Sequence, residues 1–251
     1  ESLCDEAPLQ IGNRVWLDEN ANGLQDPSER GIANIIVELV KTSDGSVRTA
    51  TTNPSGEYLF SNVAKDSAYT LRINTMGFSR ILPTTANIFD NTSDVIDSDG
   101  VINAHWVNAS VVAHAAGVND HTFDFGFKPV FAVGNQVFND VDNNGIKSTS
   151  EAGVPSVPVS LLTAAGASTG KTTTTDANGK YYFGNLDPGA YIIEITAPAG
   201  YISSTGDNGK PTGPNEPAPS PDTAANLKID NDDNGTTTSS TIKSKPITLG
   251  L

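Results

Sequence analysis

The chain has 251 residues and carries 15 lysines plus arginines against 29 aspartates plus glutamates, a net charge of −14. This balance argues against a nucleic-acid binder, which needs a positive face to displace counterions, and against docking on an anionic membrane. No apolar run approaches the roughly 20 residues that span a bilayer, and the single Cys4 excludes an internal disulfide or a cysteine-based zinc motif.

Residues 1–10 (ESLCDEAPLQ) share no pattern with the rest of the chain and read as a tail or an added strand. The chain opens at Glu1 without an apolar targeting segment, which fits a cleaved leader or an excised fragment. From residue 11 the sequence repeats itself at long period. IGNRVWLD (11–18) returns as VGNQVFND (133–140), an offset of 122 from Asp18 to Asp140. SGEYLFSNV (55–63) returns as NGKYYFGNL (178–186), YTLRI (69–73) as YIIEI (191–195), and FDFGF (123–127) corresponds to PITLGL (246–251). The repeat defines two modules, 11–128 and 129–251, with the boundary at Lys128-Pro129, where proline opposes a continuous strand.

Each module reads as all-β. Ile35, Val37 and Leu39 share one face at period two, as do Val157, Val159 and Leu161; Tyr69, Leu71 and Ile73 repeat as Tyr191, Ile193 and Ile195. No segment carries a helical stripe. Short strands between Gly, Asn, Asp and Pro clusters predict two tandem Ig-like or prealbumin-like β-sandwiches. Residues 203–240, rich in Pro, Gly, Asn, Asp and Thr, predict a long surface loop.

After the first strand of each module comes a twelve-residue acidic loop, DENANGLQDPSE (18–29) and DVDNNGIKSTSE (140–151). Both fit the EF-hand loop pattern. Positions one, three, five, seven, nine and twelve are Asp18, Asn20, Asn22, Leu24 through its carbonyl, Asp26 and Glu29. Their counterparts are Asp140, Asp142, Asn144, Ile146 through its carbonyl, Ser148 and Glu151. Gly23 and Gly145 occupy position six, where the chain turns sharply. Calcium takes six to eight oxygens, and alternate side chains on a tight loop converge on one point while the distal glutamate closes the cage. An Asx-rich turn without metal is the competing reading of one such loop; two complete loops at the same place in two copies favour the ion. The segments after Glu29 and Glu151 are strand-like, so no helix pair flanks either loop and a sensor mechanism is not expected.

A second acidic cluster occurs late in each module, with Asp90, Asp94, Asp97 and Asp99 in the first and Asp230, Asp232 and Asp233 in the second. A second calcium site is expected at Asp97 and Asp99, and at Asp230 and Asp232; a solvated acidic turn is the alternative.

The order of these segments resembles the calcium-binding B-type repeats of serine-aspartate repeat surface adhesins, related to the B-type domains of the collagen adhesin. The resemblance covers residues 11–251 and is most specific in the V-W-x-D strand entering the first loop and in the G-x-Y-x-F turn-strand. It implies a calcium-stabilised β-sandwich that serves as a stiff extracellular stalk, on the cell surface or secreted, and Ca²⁺ ligands at the loop residues named above. Family members often carry aspartate where this chain has Asn13 and Asn135, and Ser148 replaces an acid. Related collagen-adhesin domains form a lysine–asparagine isopeptide bond; here the first strands carry Arg14 and Gln136, so none is expected.

The leading expectation is therefore a calcium-rigidified spacer whose partners are adjacent modules of the same or a neighbouring chain. One alternative is a filament subunit joined by N-terminal strand addition, with Cys4 linking chains. Another is an adhesive module binding a host or matrix protein or a glycan, for which Trp106 is a better candidate than Trp16, which aligns with Phe138; Phe78 and Phe89 are further aromatics. Catalysis is not expected: there is no His-Glu-x-x-His pair, nucleophile elbow or phosphate loop. His105, His114 and His121 could bind zinc only as a remote reading. Asn91, Asn108 and Asn234 fit glycosylation acceptors.

Overall fold

The computed structural model describes residues 9–87, 96–113, 119–145, 147–204, 235–238 and 241–250. The chain divides into two compact units, Glu1–Val130 and Phe131–Leu251. Every regular element among the described residues is a β-strand.

The first unit contains β1 (Leu9–Leu17), β2 (Ile36–Lys41), β3 (Val47–Thr51), β4 (Glu57–Val63), β5 (Ser67–Asn74), β6 (Ile81–Pro83), β7 (Val101–Asn103), β8 (Trp106–Ala113) and β9 (Phe125–Pro129). They form two sheets, β4-β1-β9-β6 and β3-β2-β5-β8-β7. All pairs are antiparallel except β1 with β9, which run parallel in the register Val15↔Phe125 and Leu17↔Phe127. The expected alternation holds. Val37 and Leu39 of β2, Tyr69, Leu71 and Ile73 of β5, and Val107, Ala109 and Val111 of β8 are buried, while Ile36, next to Val37 on β2, is 58% exposed. They pack against Ile11 and Val15 of β1, Tyr58 and Phe60 of β4, and Phe125 and Phe127 of β9, so two apolar faces close one core.

The second unit contains β10 (Phe131–Gln136), β11 (Pro158–Thr163), β12 (Ser168–Thr174), β13 (Lys180–Leu186), β14 (Gly189–Ile195), β15 (Thr236–Thr238), β16 (Thr241–Lys243) and β17 (Ile247–Leu249). β10 pairs with β13, and the other sheet runs β12-β11-β14-β16-β15 with β17 also on β14. Val159, Leu161, Phe183, Leu186, Ile193 and Leu249 form its core cluster. The two units repeat one another in detail: β1 meets β4 with a bulge between Leu9 and Ile11, and β10 meets β13 with a bulge between Phe131 and Val133.

Pro129 ends β9 opposite Ile81, and the next amide, Val130, donates to the Arg80 carbonyl at 3.0 Å. Leu9 and Gln10 open β1; the rest of the 1–10 segment, with Cys4, lies outside the described residues. So do 205–234, most of the expected surface loop.

One turn fixes where the acidic loops emerge. Gly56 has φ +81°, and a Cβ there would sit 2.2 Å from the Val15 carbonyl. Gly179 repeats this with φ +77° and 2.2 Å from the Val137 carbonyl. Only glycine lets the G-x-Y-x-F turn lie this close to the end of the first strand.

Candidate metal sites

Each acidic loop is an excursion whose ends are tied together by main chain. In the first unit the Leu17 amide donates to Arg30 O (2.9 Å), Asp18 N to Phe127 O (2.8 Å), and Trp16 bridges Gly31. In the second, Asn139 N donates to Ala152 O (2.9 Å) and Phe138 bridges Gly153. Between these ties both loops make the same left-handed steps, at Ala21 and Gly23 and again at Asn143 and Gly145.

The first-position aspartates organise the turns. Asp18 is fully buried; its Oδ1 accepts the Asn22 amide (3.1 Å), its Oδ2 the Gly23 amide (2.7 Å), and the Thr84 hydroxyl also donates to Oδ2. Asp140 accepts the Asn144 (3.1 Å) and Gly145 (2.8 Å) amides, and the Ser204 hydroxyl at 2.5 Å. Burial works to raise the Asp140 carboxyl, but Ser204 and the Gly145 and Asn144 amides outweigh it, so its pKa is lowered.

The twelfth-position glutamates close the loops identically. Glu29, 6% exposed, accepts Glu19 N on Oε1 (2.8 Å) and Asp26 N on Oε2 (3.0 Å); Glu151 accepts Val141 N (2.7 Å) and Ser148 N (2.8 Å). Burial pushes the Glu29 carboxyl up, the two amides pull it back, and Asp18 and Asp26 push it further up, leaving its pKa raised. Each carboxylate oxygen accepts one amide and has a second lone pair by its chemistry.

Between these ends, Asp26 Oδ2 accepts the side-chain amides of Asn20 (2.8 Å) and Asn22 (3.0 Å). The Asn22 amide bonds Asn20 Oδ1 and the Leu24 amide bonds Asn22 Oδ1, at 3.0 and 2.8 Å. In the second loop Asn144 Nδ2 donates to Asp142 Oδ2 (2.9 Å) and the Ser148 and Ser150 hydroxyls lie 2.9 Å apart. Carboxylate oxygens of Asp140, Asp142 and Glu151 all lie within 4.8 Å of one another, and these three could hold a metal ion. The donor set is entirely oxygen, hard and partly anionic, which suits calcium rather than a nitrogen- or sulfur-seeking metal. Ile146 lies outside the described residues.

The late acidic segment of the first unit is built into the same end of the fold. Asp97, Ser98 and Asp99 are buried. Asp97 bridges Leu24 of the loop. Asp99 instead meets Asp124 of the Phe-rich segment: Asp99 N donates to Asp124 O (2.9 Å) and Asp124 N to Asp99 Oδ2 (2.7 Å). Asp124, also fully buried, accepts Arg14 N (3.0 Å) and Asn13 Nδ2 (3.3 Å). Asp90, Asp94, Asp230, Asp232 and Asp233 lie outside the described residues.

Sequence reasoning missed Thr84, Ser204 and Asp124. A charged residue between the phenylalanines of FDFGF was a readable signal for Asp124; the hydroxyls carried none. Of the other candidates, His105 and His121 are exposed and Trp106 is half-buried. Trp16 is buried, and Trp106 lies under the Arg72 guanidinium at 4.1 Å, which also pairs with Glu38 at 2.7 Å. Phe78 packs edge-on against Phe127 at 5.4 Å between centroids. His114, Phe89, Asn91 and Asn234 are outside the described residues; Asn108 lies on β8.

The SdrD B-like domain family matches residues 9–127 and again 131–242. Serine-aspartate repeat-containing protein F of Staphylococcus epidermidis is 34% identical over 243 residues, covering 95% of this chain and 13% of that protein. Serine-aspartate repeat-containing protein C of Staphylococcus aureus (strain Newman) is 34% identical over 207 residues, covering 81% of this chain and 20% of that protein. The chain thus spans a small part of the length of these relatives. Among solved structures, the minor pilin GBS52 of Streptococcus agalactiae aligns at 14% identity and a TM-score of 0.29, over 78% of this chain and 86% of that one.

Proposed function

The chain belongs to the SdrD B-like domain family, and from that premise we propose that it is a pair of calcium-rigidified spacer modules of an extracellular surface adhesin. Domains of this family are structural modules and not enzymes. The relatives' serine-aspartate repeat names support a reading at the cell surface, with adjacent modules of the same or a neighbouring chain as partners.

The observation that carries the reading is the identical wiring of Glu29 and Glu151. Each twelfth-position carboxylate is held by the amides of positions two and nine, the first-position aspartate by those of five and six. Such a loop presents an oxygen cage in advance of the ion. Asp18, Asn20, Asn22, the Leu24 carbonyl, Asp26 and Glu29 hold calcium in the first module. Asp140, Asp142, Asn144, the Ile146 carbonyl, Ser148 and Glu151 do so in the second. Bound calcium neutralises carboxylates that otherwise repel one another and fixes both ends of the loop to the sandwich. A further calcium site involves Asp97 and Asp99, and in the second module Asp230 and Asp232; the burial of Asp97, Asp99 and Asp124 around one segment supports the first of these.

Calorimetric calcium titration of the full chain, with metal-to-protein stoichiometry and melting curves with and without chelator, tests the reading. At least two ions per chain and a lower melting temperature on chelation are expected. An unchanged melt with no binding heat overturns it.

A further inference from the structure

The backbone carbonyl of the closing glutamate is held by a cation in both modules, but the cation comes from different positions. In the first, Arg14 of β1 donates through Nη2 to Glu29 O at 3.1 Å and through Nε to Ser55 O at 3.0 Å. In the second, the position of Arg14 is taken by the neutral Gln136, and Lys147 donates from Nζ to Glu151 O at 2.9 Å and to Ser148 O at 3.4 Å. Lys147 sits at loop position eight, where the first module has the neutral Gln25. The two modules have exchanged the sites of cation and glutamine while keeping the bond.

We infer that Arg14 and Lys147 are positioning residues for the closing glutamate, interchangeable between a seat on the first strand and a seat inside the loop. Two amides grip the carboxylate of each glutamate, and the cation grips its carbonyl. Together they fix the residue's backbone and side chain before any ion arrives, and partners of this kind orient metal ligands. The inference rests on the calcium reading of the loops for its affinity, and on the hydrogen bonds alone for its effect on Glu29.

The second module has room for the exchange. A polar cleft of about 530 Å³ lies beside Gln136, lined also by Lys147, Glu151, Gly153, Asn178 and Lys180. Glu151 and Asn178 are the counterparts of Glu29 and Ser55, the residues whose carbonyls Arg14 bonds in the first module. An arginine at 136 therefore faces the same two acceptors.

Three roles for these cations give different signs. A positioning cation strengthens calcium binding by pre-forming the ligand. A cation acting only by charge weakens it, because it repels a divalent ion. A merely structural cation changes the melting temperature and leaves the affinity alone. The test monitors the Gly23 and Gly145 amide signals by NMR during calcium titration of the full chain, so that each loop reports separately. R14Q is expected to weaken the first loop roughly tenfold and leave the second unchanged, and R14Q/Q25K to restore it. K147Q is expected to weaken the second loop similarly, and K147Q/Q136R to restore it.

In chelator, exchange of the Glu19 and Asp26 amides, which bond the Glu29 carboxylate, should accelerate in R14Q and slow again in R14Q/Q25K. Unchanged or tighter calcium binding, or failure of both relocated cations to rescue, overturns the inference. Absence of calcium binding by the parent chain overturns the reading of the loops instead, and the exchange measurement in chelator then decides whether the cation positions Glu29.

Discussion

Leu24, at the seventh position of the first acidic loop, forms an antiparallel bridge with Asp97. The adjacent amide of Gln25 donates to the Ile96 carbonyl at 2.6 Å. Two acidic segments far apart in sequence are therefore one backbone-bonded unit, and ordering one orders the other. Chelation should accelerate amide exchange at Gln25 and Asp99 together, not in the loop alone. Saturation a hundredfold above the dissociation constant stabilises by about 2.7 kcal/mol per site. For a module of this size that is a fall of roughly 10 °C in melting temperature on removal of the ion. Exchange rates that rise at Gln25 while Asp99 stays protected would break the coupling.

Thr84 and Ser204 each donate a hydroxyl to the first aspartate of a loop, from segments with no loop pattern of their own. Thr84→Val keeps the shape and removes the donor, leaving the fully buried Asp18 carboxylate with its two amide partners. A hydrogen bond to a charged group contributes about 1.5–3 kcal/mol. Thr84→Val should cost the first module that much in chelator, read by denaturant titration. Ser204→Ala, beside the more open Asp140, should cost less.

The strands, the tandem copies and both loops could be read from residue order because each rests on local rules. Period-two burial is visible in Ile35, Val37 and Leu39, and the position-six glycine in NANGL and DNNGI is demanded by a left-handed step. Asp124 and Thr84 could not be assigned to the loop end, because only the parallel pairing of β1 with β9 and the antiparallel pairing of β6 with β9 bring them there. Such pairing depends on the whole sheet, not on a short window. Arg14 read only as a missing lysine; its bonds to Glu29 and Ser55 become apparent once the G-x-Y-x-F turn is folded against the first strand.

Trp16 is fully buried, and its indole Nε1 has no hydrogen-bond partner among the described residues. The aligned residue in the second module is Phe138. A buried donor left unbonded costs about 1–3 kcal/mol, which opposes the packing contributed by the larger ring. Gly126 is part of this fit, since a Cβ there would lie 2.7 Å from the Trp16 ring. Trp16→Phe should therefore change stability by less than about 1.5 kcal/mol, whereas Trp16→Ala should cost about 3–5 kcal/mol. Denaturation midpoints of the two variants check this, and a Trp16→Phe loss as large as that of alanine would refute it.

Tyr181 packs edge-on near Phe183, with ring centroids 6.4 Å apart, and burial pushes its hydroxyl from 10.0 up to about 12. The folded state thus favours the neutral phenol. In the unfolded chain the group ionises near 10, so its contribution is fully present below pH 10 and is lost as the pH rises from 10 to about 12. Moving the ionisation from 10.0 to about 12 corresponds to about 2–3 kcal/mol across that window. Tyr191 shifts in the same direction, through burial and the nearby Asp187, so the second module as a whole should weaken in alkali. Tyr181→Phe removes one ionisation and should flatten the stability profile between pH 10 and about 12 while changing little at neutral pH. Urea titrations of parent and variant at stepped pH measure the difference; parallel profiles would show that the Tyr181 hydroxyl is not held neutral by the fold.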